Sequence, residues 1–259
     1  MRKTEPYPGT QSVLRAIKLL KTFDDAQPEW GLTDLAREVG LNKTTVYRLM
    51  TALESEGMVS RSASQDAYTL GPLAVTLGGR AMRQNDLRVL AKSALVELAE
   101  ATGETSSLDL LIGDEILIID EVLGNHLVGS ASSLGQRHPA LTASTGKAMV
   151  AFLPPEQQEA LLRIPPPQWT MKTITDPAVL RAQLAEVREK GYAISAEELE
   201  EGLIVVGAPV FNHDCEPAAA ICVGGPTLRI PPERIPALGE LVRETAARLS
   251  LRLGCPQLP

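Results

Sequence analysis

At 259 residues, 44% hydrophobic and 22% charged, the chain has the length of two ordinary domains and a globular composition. A net charge of −7 argues against indiscriminate nucleic-acid binding, aromatics at 3% offer little for stacking single-stranded bases, and there is no apolar run of about 18 residues to span a membrane. The opening MRKTEPYPGT has no apolar signal region, and Cys215, Cys222 and Cys255 lack metal-ligand spacing. A reduced, cytoplasmic protein with free thiols, no metal and no cofactor is therefore expected.

In chain order, residues 10–24 read as an amphipathic helix with Val13, Leu14, Ile17 and Leu20 on one face. Gln11 and Ser12 at its start could reach a phosphate or act as ordinary solvent-facing caps. After the polar connection 24–30, Thr33 is a candidate N-cap for a short helix whose apolar residues are Leu35, Ala36 and Val39, ended by Gly40. Leu41 can plug the corner, and Asn42 caps a second helix. Its residues Val46, Leu49, Met50 and Leu53 share one face at i, i+3, i+4 and i+7, with Thr44 and Arg48 opposite. Gly57 stops that helix, and the alternating stretches Met58–Arg61 and Ala67–Leu70, joined by the polar run 62–66, read as a hairpin.

Helix, glycine turn, helix and hairpin make a winged helix-turn-helix, which suits double-stranded operator DNA. Thr44, Thr45 and Arg48 are candidates for the major groove, where Arg pairs with guanine and Thr touches a base edge or phosphate. Lys43 and Arg61 are candidates for phosphates, and Thr33, Asn42 and Tyr47 complete the DNA-binding set. Charge distribution agrees: residues 1–83 hold 11 basic and 9 acidic side chains, and the remainder holds 14 basic (25 − 11) and 23 acidic (32 − 9). A plain packing unit or a protein–protein module are the alternatives for such a motif.

Gly71-Pro72 breaks the chain before a linker helix over 73–84, with Gly78 and Gly79 as a hinge. The expected domains are thus 1–71, a linker at 72–85, and 86–259. The second half reads as a helix over 86–102; strands at 105–112 and 115–122 around a Gly113-Asp114 turn; and a short strand at 127–130. Helices at 144–153, 156–163 and 176–190 follow, then strands at 192–195, 203–211 and 217–223, and a final helix from Pro231-Pro232 to about Leu253. That order is an α+β plan.

Ser144-Thr145-Gly146-Lys147 opens a helix. Its free N–H groups, with the hydroxyls of Thr142, Ser144 and Thr145, read as a niche for a carboxylate, or as simple capping. Gly146-Lys147 lacks the phosphate-loop spacing because position 141 is Leu. Ser144 and Lys147 spell S-x-x-K, but the companion motifs of that enzyme class are missing. Glu197 and Glu198 could bind a metal or a cationic ligand, but read first as a solvated acidic loop. Cys222 reads as a small buried hydrophobe rather than a redox sensor. His126, His138 and His213 have no metal spacing, and no catalytic set emerges.

Four blocks together resemble the IclR family of bacterial transcription regulators over about residues 10–253. They are TQSVLRAIKLL, LTDLAREVGLNKTTVYRLMTALESEGMVSR, GQRHPALTASTGKAMVAFLP and GYAISAEELEEGLIVVGAPVFNHDCEPAAAICVGGPTLRI. The resemblance implies an N-terminal winged helix-turn-helix, a linker helix and a C-terminal GAF-like effector domain with an antiparallel sheet and flanking helices. It implies a homodimer or homotetramer, and a small-molecule effector, commonly an organic or aromatic acid. Ser195, Val205, Cys222 and Gly224 fall where the family holds its ligands, beside Ser144, Thr145 and Gly146. Small and apolar groups at 205 and 224 suggest an aromatic or larger acid. The chain departs from the family at Asn212–Pro217, where a glycine turn is usual, and at Cys222-Val223-Gly224-Gly225-Pro226, where many members have Ser; both bear on the ligand. The expected function is metabolite-controlled DNA binding without catalysis. The rivals are a constitutive DNA-binding protein whose second half only oligomerises, and an enzyme with a fused DNA-binding module.

Overall fold

The structure, a computed structural model, describes residues 10–24, 26–62, 67–83, 86–126 and 132–255. The chain divides into two compact units, Met1–Asn85 and Asp86–Pro259.

The first unit contains α1 (Gln11–Leu20), β1 (Trp30–Gly31), α2 (Leu32–Val39), α3 (Lys43–Ser55), β2 (Val59–Arg61), β3 (Ala67–Leu70) and α4 (Pro72–Arg83). The three strands form an antiparallel sheet in the order β1-β3-β2. Leu19, Leu35, Val39, Val46, Met50, Val59 and Tyr68 make its core. Gly40 adopts the left-handed conformation (φ 68°) that lets α2 end and the chain turn, and Leu41 packs on the core behind it. Lys18 Nζ donates to the carbonyl of Val39 at 2.8 Å, satisfying one of the free acceptors at the end of α2.

Two expectations change. Thr33 does not cap α2: β1 pairs Trp30 with Tyr68 and Gly31 with Ala67, so the helix starts directly after the strand with extended Gly31 as its cap. Thr33 lies exposed in the first turn. On α1, the core takes Leu19, while Val13, Leu14 and Ile17 are 59%, 40% and 46% exposed. Periodicity finds the apolar stripe but not what covers it. The linker helix stands as α4, with Gly78 and Gly79 inside it as read from sequence. The wing strands stand as β2 and β3, paired Val59 to Leu70 through Arg61 to Tyr68; most of the loop expected at 62–66 lies outside the described residues.

The second unit contains α5 (Asp86–Thr102), β4 (Thr105–Ile112), β5 (Glu115–Val122), β6 (Arg137–Pro139), α6 (Ser144–Val150), α7 (Pro155–Leu162), α8 (Pro177–Lys190), β7 (Ala193–Ala196), β8 (Leu203–Phe211), β9 (Pro217–Pro226) and α9 (Ile235–Arg252). Its sheet is antiparallel in the order β6-β5-β4-β9-β8-β7. The edge strand β6 is unforeseen, β9 runs to Pro226, and the short strand expected at 127–130 lies outside the described residues. Alternation along β4 assigns the two faces: the Ser106 hydroxyl donates to Leu95 O of α5 at 2.7 Å, whereas Asp109 bonds Thr145 of α6. Thus α5 and α9 cover one face, and α6 with α8 covers the other. Asp176 caps α8 by accepting from Ala178 N at 2.8 Å, and Gly191 ends it at φ 75°. The buried Glu104 carboxylate takes a bidentate pair from Arg229, both contacts 2.7 Å, fixing β4 to the end of β9. The thiols of Cys215 and Cys255 lie 2.7 Å apart, where the β8–β9 turn meets the residues after α9.

Candidate functional site

Helix α3 is built to show one face. Asn42 Oδ1 accepts from Thr45 N at 2.8 Å, closing the first turn; Val46 and Met50 are buried, with Leu49 and Leu53 partly so. Lys43, Thr44, Tyr47 and Arg48 are exposed on the other side, with Thr45 half-buried beside its cap. Gln11 and Ser12 are exposed at the start of α1. Arg61 on the wing is half-exposed, 3.2 Å from Glu54 and 5.2 Å above the Tyr68 ring. To hold a phosphate it would give up a surface ion pair worth only about 0.2–1 kcal/mol.

The second unit holds a cleft of about 730 Å³ of empty space, mouth included, on the sheet face covered by α6. Thr105, Ser107 and Asp109 of β4, Ile116, Ile118 and Glu121 of β5, Leu203 and Val205 of β8, and Cys222 and Gly224 of β9 form its floor. Ala143, Ser144 and Thr145 form one wall, joined by Ser133, His138 and Leu199. Ser107 lies opposite both Glu121 and Cys222, while Asp109 lies opposite Ile118, because the register shifts at Leu108/Asp109. That bulge puts Ile118 and Glu121 on the same face although three positions separate them. Gly224 keeps the floor open: a Cβ there would lie 3.2 Å from Val205 Cγ2. Gly207 lets α6 close on the sheet, since a Cβ would meet Ser144 Oγ and Thr145 N at 3.0 Å.

The candidates Ser144, Thr145, Val205, Cys222 and Gly224 therefore meet around one cleft, and two do not join them. Gly146 is buried against the preceding turn, where a Cβ would stand 2.1 Å from Ala140 O; its role is close approach. Ser195 is buried on the edge strand β7, opposite Val205, and the cleft stops at β8.

Sequence reasoning missed the central group, Asp109. It is 3% exposed and accepts from Ser107 Oγ at 2.8 Å and Thr145 Oγ1 at 2.6 Å. Burial pushes its carboxyl up to about 6, against the pull of those two hydroxyls. The niche read as suited to a carboxylate thus already holds a carboxylate of the chain itself. Nor are the hydroxyls caps: α6 starts after Ala143 with no side-chain cap, and Thr142 Oγ1 donates to Pro139 O at 2.9 Å. Ser144 Oγ and His138 Nδ1 are buried and find no partner among the described residues. Burial lowers the His138 pKa, favouring the neutral ring. Burial and the Asp109 charge push the Cys222 thiol far up, consistent with an inert buried side chain 3.0 Å from Ser107 Oγ.

Glu198 is not solvated, as read from sequence. It is 3% exposed and accepts from Lys147 Nζ at 2.6 Å, with Lys147 only 1% exposed. Burial pushes Lys147 down and Glu198 up, and each charge opposes the push on the other. The S-x-x-K lysine is therefore tied to a carboxylate, a structural pair holding α6 to the chain after β7. Glu197, in the left-handed region (φ 59°), pairs with Lys172 and accepts from Gly202 N at 2.8 Å.

Comparison with known proteins agrees with this architecture. The family profile described as bacterial transcriptional regulator IclR C-terminal matches residues 79–251, and that of the IclR helix-turn-helix domain matches residues 12–63. The HTH-type transcriptional regulator XynR of Escherichia coli is 32% identical over 250 residues, covering 96% of this chain and 99% of its own. The transcriptional repressor IclR of the same organism is 32% identical over 255 residues, covering 97% and 93%. The solved IclR transcriptional regulator from Alicyclobacillus acidocaldarius superposes with a TM-score of 0.83 at 32% identity, over 94% of this chain and 98% of that one. An IclR homologue from Microbacterium hydrocarbonoxydans, complexed with 4-hydroxybenzoate, shares the fold with a TM-score of 0.79 at 23% identity, over 93% and 98%. With both halves matched and the order of elements preserved, the chain belongs to the IclR family of bacterial transcription regulators.

Proposed function

We propose that this regulator binds a two-half-site operator through α3 and that a small molecule in the cleft of the second unit adjusts that binding. The observation that carries the DNA half is the exposed row Lys43, Thr44, Tyr47 and Arg48 on a helix whose opposite face is core. In this reading Thr44, Thr45 and Arg48 read bases, and Lys43, Arg61, Gln11 and Ser12 hold phosphates. The exposed stripe Val13, Leu14 and Ile17 on α1 supports pairing with a second copy, which would supply the second reading helix. Its relatives' names are those of transcriptional regulators, which supports a regulatory rather than catalytic role in the cytoplasm.

The cleft supports the effector half: it combines an apolar floor with convergent polar groups. The family resemblance and the relative complexed with 4-hydroxybenzoate support an organic or aromatic acid as effector. The charged groups lining this cleft, Asp109 and Glu121, favour a hydrogen-bond donor on the ligand instead. In vitro selection from a random duplex pool tests the DNA half. The expected product is an inverted repeat with half-sites about 10 base pairs, or a multiple, apart. A pool that enriches no sequence would remove operator reading from the account.

A further inference from the structure

Among the residues lining the cleft, the acidic side chains are Asp109 and Glu121, and there is no Lys or Arg. The cations nearest in sequence are paired elsewhere: Arg137, next to His138, meets Glu115 at 3.1 Å, and Lys147 is buried against Glu198. Hydroxyl protons are committed in the same sense: those of Ser107 and Thr145 point at Asp109. Glu121 is held from the side, accepting from Ser133 N at 3.0 Å and from the Ser132 hydroxyl. The cleft therefore has a surplus of acceptors and negative charge at its centre. Ser144 Oγ and His138 Nδ1 are its unpartnered buried side-chain atoms among the described residues.

We infer that the cleft selects a ligand that presents a hydrogen-bond donor, a hydroxyl or an ammonium group, to Asp109 and carries no carboxylate. Asp109 is then the specificity-determining residue. This rests on the reading of the cleft as the effector site. A ligand carboxylate would set a second anion against a buried one with no Lys or Arg among the described lining residues to screen it, and the Ser107 and Thr145 hydroxyls already donate to Asp109. A hydroxyl or ammonium supplies what the Asp109 carboxylate lacks, a proton from outside the chain. Ser144 can then donate to or accept from the same ligand. Ile116, Ile118, Leu203 and Val205 offer apolar contact to the rest of the ligand.

Matched probes test this. One triad is 4-hydroxybenzyl alcohol, 4-hydroxybenzylamine and 4-hydroxybenzoate; the other is sorbitol, glucamine and gluconate. Each is titrated into the full-length protein at pH 8 by calorimetry, with thermal shift in parallel, on the wild type, Asp109→Asn and Asp109→Ala. The expected result is that, in whichever triad binds, the alcohol or amine binds at least tenfold tighter than the acid. Both variants should narrow that gap at least tenfold. Preference for the amine over the alcohol identifies ion pairing; equal binding identifies hydroxyl recognition. If the acid binds tightest, or if the gap survives in both variants, the inference fails while the effector site stands. If no probe of the six binds the wild type, the effector-site reading is itself contradicted, and this inference with it.

Discussion

Replacing Asp109 by Asn separates the two things its carboxyl does, accepting hydrogen bonds and carrying a buried charge. The carboxyl rises from its ordinary 3.8 to about 6 in the folded protein, chiefly through burial. A group whose folded pKa lies above its unfolded value binds more protons when folded. Its contribution is therefore fully present below about pH 4 and lost as pH rises through about 6. At ~1.4 kcal/mol per pH unit, that difference amounts to about 3 kcal/mol of stability lost by the wild type above pH 7. Asn keeps the shape and can still bond the Ser107 and Thr145 hydroxyls, which rotate to accept from its amide. It carries no charge. The stability of Asp109→Asn relative to wild type should therefore climb by up to about 3 kcal/mol as pH rises from 4 to 8, most steeply between the unfolded value of 3.8 and the folded value of about 6. Urea unfolding of both proteins across that range, followed by fluorescence and circular dichroism, measures the difference directly, since other titrations cancel between them. A difference that stays flat with pH, or that falls as pH rises, would refute a buried ionised carboxylate at the centre of the cleft.

Asn42→Ala removes the acceptor for Thr45 N and should destabilise the first unit by about 1 kcal/mol in chemical denaturation. Lys147→Met strands the Glu198 charge in the interior and should cost about 3–5 kcal/mol. The double variant Lys147→Met/Glu198→Leu should recover most of that loss, and a double variant no better than the single one would contradict the pairing argument. Ile17→Glu places a charge in the exposed stripe of α1 and should lower the assembly state by sedimentation without lowering the melting temperature. An unchanged assembly would show that this stripe does not join two copies.

What could be read from sequence was local. Gly40, Asn42 and the Val46–Met50 spacing place two helices and their turn through backbone sterics and capping, which need no distant partner. Asp176 and Gly191 frame α8 in the same way. What escaped was set by contacts remote in the chain. Asp109 sits in an apolar run, SSLDLLIG. Its alternation with Thr105 and Ser107 was a usable sign that one face of β4 is polar, but only α6 packing over that face buries it. Lys147 meets a carboxylate 51 positions away, and nothing near either residue announces it. Thr33 lost its capping role to Gly31 because two residues of β1 pair with β3, a strand too short to leave a periodic signal. The helix-opening niche points to Gly146 and family position to Ser195; the structure puts them against Ala140 and on the edge strand instead.

The central claim is that α3 reads base sequence. Fluorescence anisotropy of wild type and Arg48→Ala on the selected duplex and on a scrambled duplex, at one salt concentration, tests it most directly. The account predicts a loss of about 1–3 kcal/mol on the selected duplex, roughly 5- to 150-fold in affinity, with little change on the scrambled one. Equal losses on both duplexes would reduce Arg48 to a phosphate contact, and unchanged affinity for the selected duplex would contradict the reading of α3 altogether.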